Sequence, residues 1–369
     1  MKKHSIIPIF IPHQGCPNDC IFCNQKKITA RQKAVTVSDV ENTIETWLST
    51  LEPRGVDTIE AAFFGGSFTG IPMEEQSAYL AVAKGYKDAG RIDKIHMSTR
   101  PDCISEEILD NLRRFGADTI ELGVQSFDDK VLQMANRGHG SKEVYKACKL
   151  IQDYGFELGI QLMIGLPGDS MESCIFSAEE TVKIGPSIAR LYPTVIVHDT
   201  ELYNQYLRGE YVPLPQQEAV LRTKEMYKRL DGAGINIIRV GLKSTDIINE
   251  NGQVSGNTYH PAFRQLVEGD IAREKIEALL SEKGFTPAAP VSSGSPSFPV
   301  KAGTPQHCRN ARVKVDFFAN GRSFSNLIGH QGKNKKYFLE NYPQLNILYK
   351  VNPKLKNNEF QITIKGEKQ

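Results

Sequence analysis

The chain has 369 residues and 41.2 kDa, with 40% hydrophobic and 24% charged residues, a composition that excludes wholesale disorder and fibrous repeats. The formal charge is only +2, so the total implies no partner. No apolar run reaches the ~18 residues of a membrane span, and the start MKKHSIIPIFIP, broken by Pro8 and Pro12, lacks a small-residue cleavage site. A soluble, cytoplasmic protein of two or three domains is expected.

Short apolar runs stand at Ser5–Ile11, Ile59–Phe64, Lys94–Met97, Thr119–Val124, Leu158–Ile164 and Ala189–Val197. Between them lie stretches of helical period, among them Val40–Leu51, Glu107–Phe115 and Lys142–Tyr154. In the first, Val40, Ile44, Trp47 and Leu51 are expected near one face. About six β-α units predict parallel strands under covering helices, either an open partial barrel or a doubly wound sheet. Both gather ligands at the carboxyl ends of the strands. Beyond Thr200 the pattern becomes more helical, with Gln217–Leu230, a strand at Ile235–Val240 and then Phe263–Lys283. Gly284–Pro305 holds five prolines, three glycines and four serines in 22 residues and reads as a linker. The tail alternates again at VKVDFF, LNILYKV and FQITI. The expected domains are a core at 1–200, an extension at 201–283, the linker at 284–305 and a module at 306–369.

Seven cysteines are present, and Cys16, Cys20 and Cys23 crowd into eight residues directly after the first strand. An odd count with one tight cluster argues for a metal site over a disulfide framework. Three thiolates at C-x3-C-x2-C can hold three irons of a [4Fe–4S] cube and leave the fourth open. Zinc is the rival and wants four ligands, with His13 as the candidate fourth. Cys103, Cys148, Cys174 and Cys308 read as small buried hydrophobes. Phe63-Phe64-Gly65-Gly66-Ser67-Phe68-Thr69 ends the second strand with two glycines that let the backbone approach a ligand. Glu121-Leu-Gly-Val-Gln125-Ser-Phe127, the later Arg137-Gly-His139, and Gly159-Ile-Gln161 running on to Gly165-Leu-Pro167-Gly168 end further strands. Each could equally be a buried strand closed by a packing turn.

The cysteine spacing, with Phe22 before the last cysteine, resembles the radical S-adenosylmethionine (radical SAM) superfamily. That resemblance implies a partial (β/α)6 TIM-type barrel, with a [4Fe–4S] cluster on Cys16, Cys20 and Cys23. It also implies SAM chelated by the open iron, a reductant such as flavodoxin or ferredoxin, and a 5′-deoxyadenosyl radical. Gly65, Gly66 and Ser67 would meet SAM's amino group, Gln125 and Arg137 its ribose and carboxylate, and Gln161 the ribose or substrate. The ordered motifs FFGGSFTGIP, STRPD, ELGVQS, RGH, GLPG and LYPTVIV, over roughly residues 5–280, are most similar to the core of the Elongator catalytic subunit family. They also resemble oxygen-independent coproporphyrinogen III oxidase. Ser98 stands where that core carries a glutamate. About 90 residues follow Leu280 without an acyl-CoA signature, so the acetyltransferase half of those proteins is not expected.

From Gln306 to Gln369 twelve basic residues face four acidic ones, giving +8 against −6 for the rest. Within it, Ile328-Gly329-His-Gln-Gly332-Lys333-Asn-Lys335-Lys336 has the shape of a KH-type nucleic-acid loop between two short helices. Its plain reading is a helix-turn-helix corner with solvated lysines. Tyr192 and His198, near the sixth strand's end, are further candidates to face a substrate. The expected function is a radical SAM enzyme acting on RNA, specifically tRNA. The alternatives are a small-molecule substrate such as a tetrapyrrole, or a nucleic-acid-binding protein with a structural cluster.

Overall fold

A computed structural model describes residues 4–11, 16, 19–24, 35–243, 248, 252–288 and 312–365. His13, Cys308 and residues 289–305 of the expected linker lie outside them. The order is β1 (His4–Ile11), α1 (Val37–Leu51), β2 (Thr58–Gly65), α2 (Met73–Asp88), β3 (Lys94–Thr99), α3 (Glu106–Arg114) and β4 (Thr119–Gln125). Then follow α4 (Asp129–Met134), α5 (Ser141–Asp153), β5 (Glu157–Ile164), α6 (Met171–Ile184), β6 (Ile188–Pro193), β7 (Ile196–Val197), α7 (Glu201–Leu207), α8 (Gln216–Gly232), β8 (Asn236–Val240) and β9 (Val254–Ser255). Seven strands pair side by side as β1-β2-β3-β4-β5-β6-β8, each pair parallel. This is an α/β partial barrel of TIM type. The strand read from sequence within the more helical extension, β8, is the seventh of that sheet.

Local chemistry explains the helix limits. α1 starts at Thr36, whose hydroxyl accepts from the Asp39 amide while Asp39 accepts from the Thr36 amide, a capping box. It buries Val40, Ile44, Leu48 and Leu51. Trp47, expected near that face, is 37% exposed, because Leu48 at i+4 from Ile44 occupies the stripe instead. Ser170 caps α6 and Gly185, left-handed at φ +68°, ends it.

Alternation along the strands separates two faces. Ile7, Ile9, Ile11, Ala61, Phe63, Ile95, Met97, Ile120, Leu122, Ile160 and Leu162 are almost wholly buried and make the apolar side. The other positions carry Glu60, His96, Ser98, Glu121, Gln161 and Arg190, which bond to one another across five strands. The His96 nitrogens lie 2.8 Å from Glu60 and 3.2 Å from Glu121, as ion-pair contacts without hydrogen-bond alignment. Arg190 Nε donates to Glu121 at 2.9 Å, and Gln161 Nε2 donates to both Glu121 and Ser98. Burial alone would drive the His96 proton off, but Glu121 and Glu60 outweigh it and hold the imidazole up at about 9.

The chain divides into two compact units, Met1–Phe263 and Arg264–Gln369. That division falls at the start of the helix read from sequence at Phe263–Lys283. The reason is packing: α9 (Phe263–Glu282) puts Ala272, Ile276 and Leu280 into one core with Val315, Phe317, Phe338 and Ile362. The second unit continues through β10 (Val313–Ala319), α10 (Phe324–Ile328), α11 (Lys333–Asn341), β11 (Leu345–Val351) and β12 (Phe360–Ile364). Its sheet runs β11-β10-β12, with β10 parallel to β11 and antiparallel to β12. No helix among the described residues is long and apolar enough to cross a membrane.

Candidate active site

The carboxyl ends of β1 to β5 open on one cavity of about 140 Å³, and the loops after those strands supply its walls. Cys16, Cys20 and Cys23 line it, together with Phe22, Gly65, Gly66, Ser67, Ser98, Gln125, Arg137 and Gln161. These are all the cysteine and cofactor positions singled out from sequence. Asp19, Thr99, Arg100 and Gly123, not singled out, complete the lining.

The cysteine loop is stitched down by main-chain bonds. Ile21 N–H donates to Ala135 O at 3.3 Å, Leu202 N–H to Ile21 O at 2.8 Å, and Asn136 Nδ2 to Asp19 O at 2.8 Å. Phe22 packs among Val131, Ala135 and Leu166 on one side and Ile196 and Leu202 on the other. That anchoring gives the aromatic before Cys23 a structural purpose.

Each wall has a local cause. Gly65 is left-handed at φ +115°, and a Cβ there would meet the Ile11 carbonyl oxygen at 2.4 Å. The next amide, Gly66 N–H, donates to that oxygen at 2.9 Å. Glycine at 65 is therefore demanded by the approach of β2 to β1, before any ligand is considered. Ser67 Oγ is hydrogen-bonded to Thr99 Oγ1 at 2.8 Å and accepts from Arg100 N–H at 3.3 Å, tying the second loop to the third. At the end of β4 the register shifts between Gly123 and Gln125, and Gln125 takes φ +72°. Such a bulge re-aims a side chain, here into the cavity. Gly123 makes room for it, since a Cβ would sit 2.9 Å from Gln125 Nε2.

The electrostatics centre on Cys20. Arg137 Nη1 reaches its sulfur at 3.1 Å and Arg100 Nη1 at 3.6 Å. Both arginines are buried, at 5% and 4% exposure. Burial pushes the Cys16 thiol up, although the Ser67 amide and Arg100 pull the other way. A metal-bound thiolate would reverse that preference. His139 follows Arg137; burial and then the Arg137 charge hold it down at about 4, so it stays neutral.

The donor set fits a group held by three thiolates: Cys16, Cys20 and Cys23 share one cavity with the buried guanidiniums of Arg100 and Arg137. His13, the candidate fourth ligand of a zinc ion, lies outside the described residues.

Tyr192 and His198 do not line the cavity. Tyr192 accepts from Arg190 at 3.3 Å. His198 Nε2 lies 2.9 Å from Ser255 Oγ and its ring is 4.6 Å from that of Tyr203, which ties β7 to β9. In the second unit, Gly329 and Gly332 flank a turn between α10 and α11, and Lys333, Lys335 and Lys336 are exposed. Gly329 (φ +78°) is packed, because a Cβ would be 2.7 Å from Asn334 N, whereas nothing lies within 4 Å of one at Gly332.

Against known families, residues 10–179 match the radical SAM superfamily model and residues 186–273 match the radical SAM C-terminal domain model. The two together span most of the chain, which belongs to the radical SAM superfamily of enzymes. It is 28% identical over 258 residues to a tRNA uridine(34) acetyltransferase of Methanocaldococcus infernus, covering 58% of this chain and 48% of that protein. The chain thus spans about half the length of such relatives. It is 25% identical over 292 residues to the heme chaperone HemW of Bacillus subtilis, covering 73% of this chain and 75% of HemW. The solved archaeal Elp3 of M. infernus, lacking its N-terminus, superposes with a TM-score of 0.59 at 20% identity, covering 78% of this chain and 69% of that one. That likeness concerns the fold.

Proposed function

We propose that the chain binds a [4Fe–4S] cluster on Cys16, Cys20 and Cys23 and SAM beside it, and modifies tRNA. The observation that carries this is the single cavity that gathers the three cysteines with Gly65, Gly66, Ser67, Ser98, Gln125, Arg137 and Gln161. When bound, the cluster supplies the electron for reductive cleavage of SAM. The protein's own work is to orient and to charge the cavity. Arg137 offers a buried cation, and its Nε has no partner among the described residues. Gln161 spends its amide hydrogens on Glu121 and Ser98, so its carbonyl oxygen is the atom left to accept from a ligand.

The RNA substrate is supported by the relatives named tRNA uridine(34) acetyltransferases and by the +8 segment, whose lysines could neutralise phosphates. We assign the grip to Gly329, Gly332, Lys333, Lys335 and Lys336, and the reductant to a flavodoxin- or ferredoxin-type donor. Mass spectrometry of tRNA nucleosides from cells with and without the gene tests the substrate: one modified nucleoside should disappear. Unchanged tRNA would favour the second reading, a tetrapyrrole ligand, which the long match to HemW supports.

A further inference from the structure

Arg100, in the loop after β3, belongs to no part of the cofactor assignment above, yet its guanidinium is the most fully tethered cation of the cavity. Of its five N–H donors, Nε and one on Nη2 make a bidentate pair with Asp102 at 2.9 and 2.9 Å. A second on Nη2 goes to the Arg137 carbonyl oxygen. With that side of the fork locked, Nη1 is turned to Cys20 Sγ at 3.6 Å. The group is 4% exposed, so its charge is weakly screened. Asp102 neutralises only one of the two guanidiniums that reach Cys20, which leaves an excess positive charge at that sulfur.

We propose that Arg100, aimed by Asp102, is a positioning and tuning residue that hydrogen-bonds the Cys20 ligand sulfur and raises the reduction potential of the cluster. The inference rests on the cluster assignment to Cys16, Cys20 and Cys23. Reduction adds one electron to the cluster, taken from the external donor, with no bond broken at Arg100. A fixed cation and a sulfur-directed donor both stabilise the more negative, reduced form, and net charge and sulfur hydrogen bonds are known levers on such potentials. An arginine suits the role because only its planar fork can pair two-handed with Asp102 and still extend a third donor.

The test is a redox titration of the anaerobically reconstituted full chain, without SAM, followed by the EPR signal of the reduced cluster. Arg100→Met should keep its iron but shift the midpoint negative. At a fixed potential its reduced-to-oxidised ratio should fall about tenfold, equivalent to 59 mV for one electron. Arg100→Lys, which keeps the charge without the fork, should fall between. If the Met variant loses iron, Arg100→Gln replaces it in the series and must still lie below the Lys variant. Full iron with midpoints equal to wild type would overturn the proposal and leave Arg100 a mere strut for the loop. Wild-type protein that takes up no iron would instead overturn the cluster reading beneath it.

Discussion

The mouth of the barrel and the turn of the C-terminal unit use the same ingredients, positive-φ glycines beside cations, to opposite effect. At the mouth the cations converge and are buried: Arg100 and Arg137 reach one sulfur through backbone-tethered forks. In the C-terminal unit Lys333, Lys335 and Lys336 are exposed, and the Lys336 side chain is 77% accessible. Buried, tethered charge acts on one fixed atom and resists salt. Exposed, mobile charge suits a polyanion and fades as ionic strength rises. A basic residue's function is thus read from its tethers more than from its sign.

The sharpest break in that comparison is removal of Cys20. Anaerobically reconstituted wild type should bind about four irons per chain with a thiolate-to-iron absorption band. Cys20→Ala should lose both. Cys148→Ala should keep both, because Cys148 is 1% exposed in the core, away from the cavity lining, and burial pushes its thiol up to about 12.

Next in size is the pair of glycines. Gly65→Ala must place a Cβ against the Ile11 carbonyl at a backbone φ of +115°, so it should cost at least about 1–3 kcal/mol and lower SAM-dependent turnover. Gly332→Ala meets nothing within 4 Å and pays the left-handed conformation alone, about 1 kcal/mol. Urea unfolding of both variants measures the difference, and equal costs would mean that the approach of β2 to β1 relaxes freely.

Comparable in size is the pH effect of the buried charge network. His96 in the fold is held up at about 9 against an ordinary value of 6.5. Its stabilisation is therefore complete below about 6.5 and lost as pH rises towards 9, amounting to roughly 3 kcal/mol. Wild type should lose stability across that window by urea titration, and His96→Asn should flatten the slope there. A wild-type curve flat from pH 6.5 to 9 would mean that His96 is neutral in the fold.

The smallest effect is expected of the exposed lysines. Changing Lys333, Lys335 and Lys336 to Glu should weaken tRNA retention on filters and reduce the salt slope by about 0.7 for each single-strand phosphate that a lysine no longer neutralises. Iron content should not change. Identical slopes would remove these lysines from the RNA reading.

Much of this was legible in the sequence because it is local. The β-α rhythm, the cysteine spacing and the strand-terminal glycines each depend on neighbours along the chain, and parallel strands bring their ends together automatically. Hence Gly65, Gln125, Arg137 and Gln161, spread over a hundred residues, meet in one cavity. What stayed hidden depends on long-range partners. Arg100 is an ordinary basic residue until Asp102 and the Arg137 carbonyl fix its fork. The Glu60–His96–Glu121–Arg190 network crosses strands that share no sequence pattern. α9 has the same helical period whichever core it joins, so its place with β10 to β12 could not be read from periodicity.

The most direct test of the central claim, that the cavity at the strand ends holds a cluster with SAM upon it, is EPR of the reduced, reconstituted chain with and without SAM. The expected result is a cluster signal that changes when SAM is added and that Cys20→Ala abolishes. A chain that carries stoichiometric zinc and no iron, or a cluster signal indifferent to SAM, would contradict it.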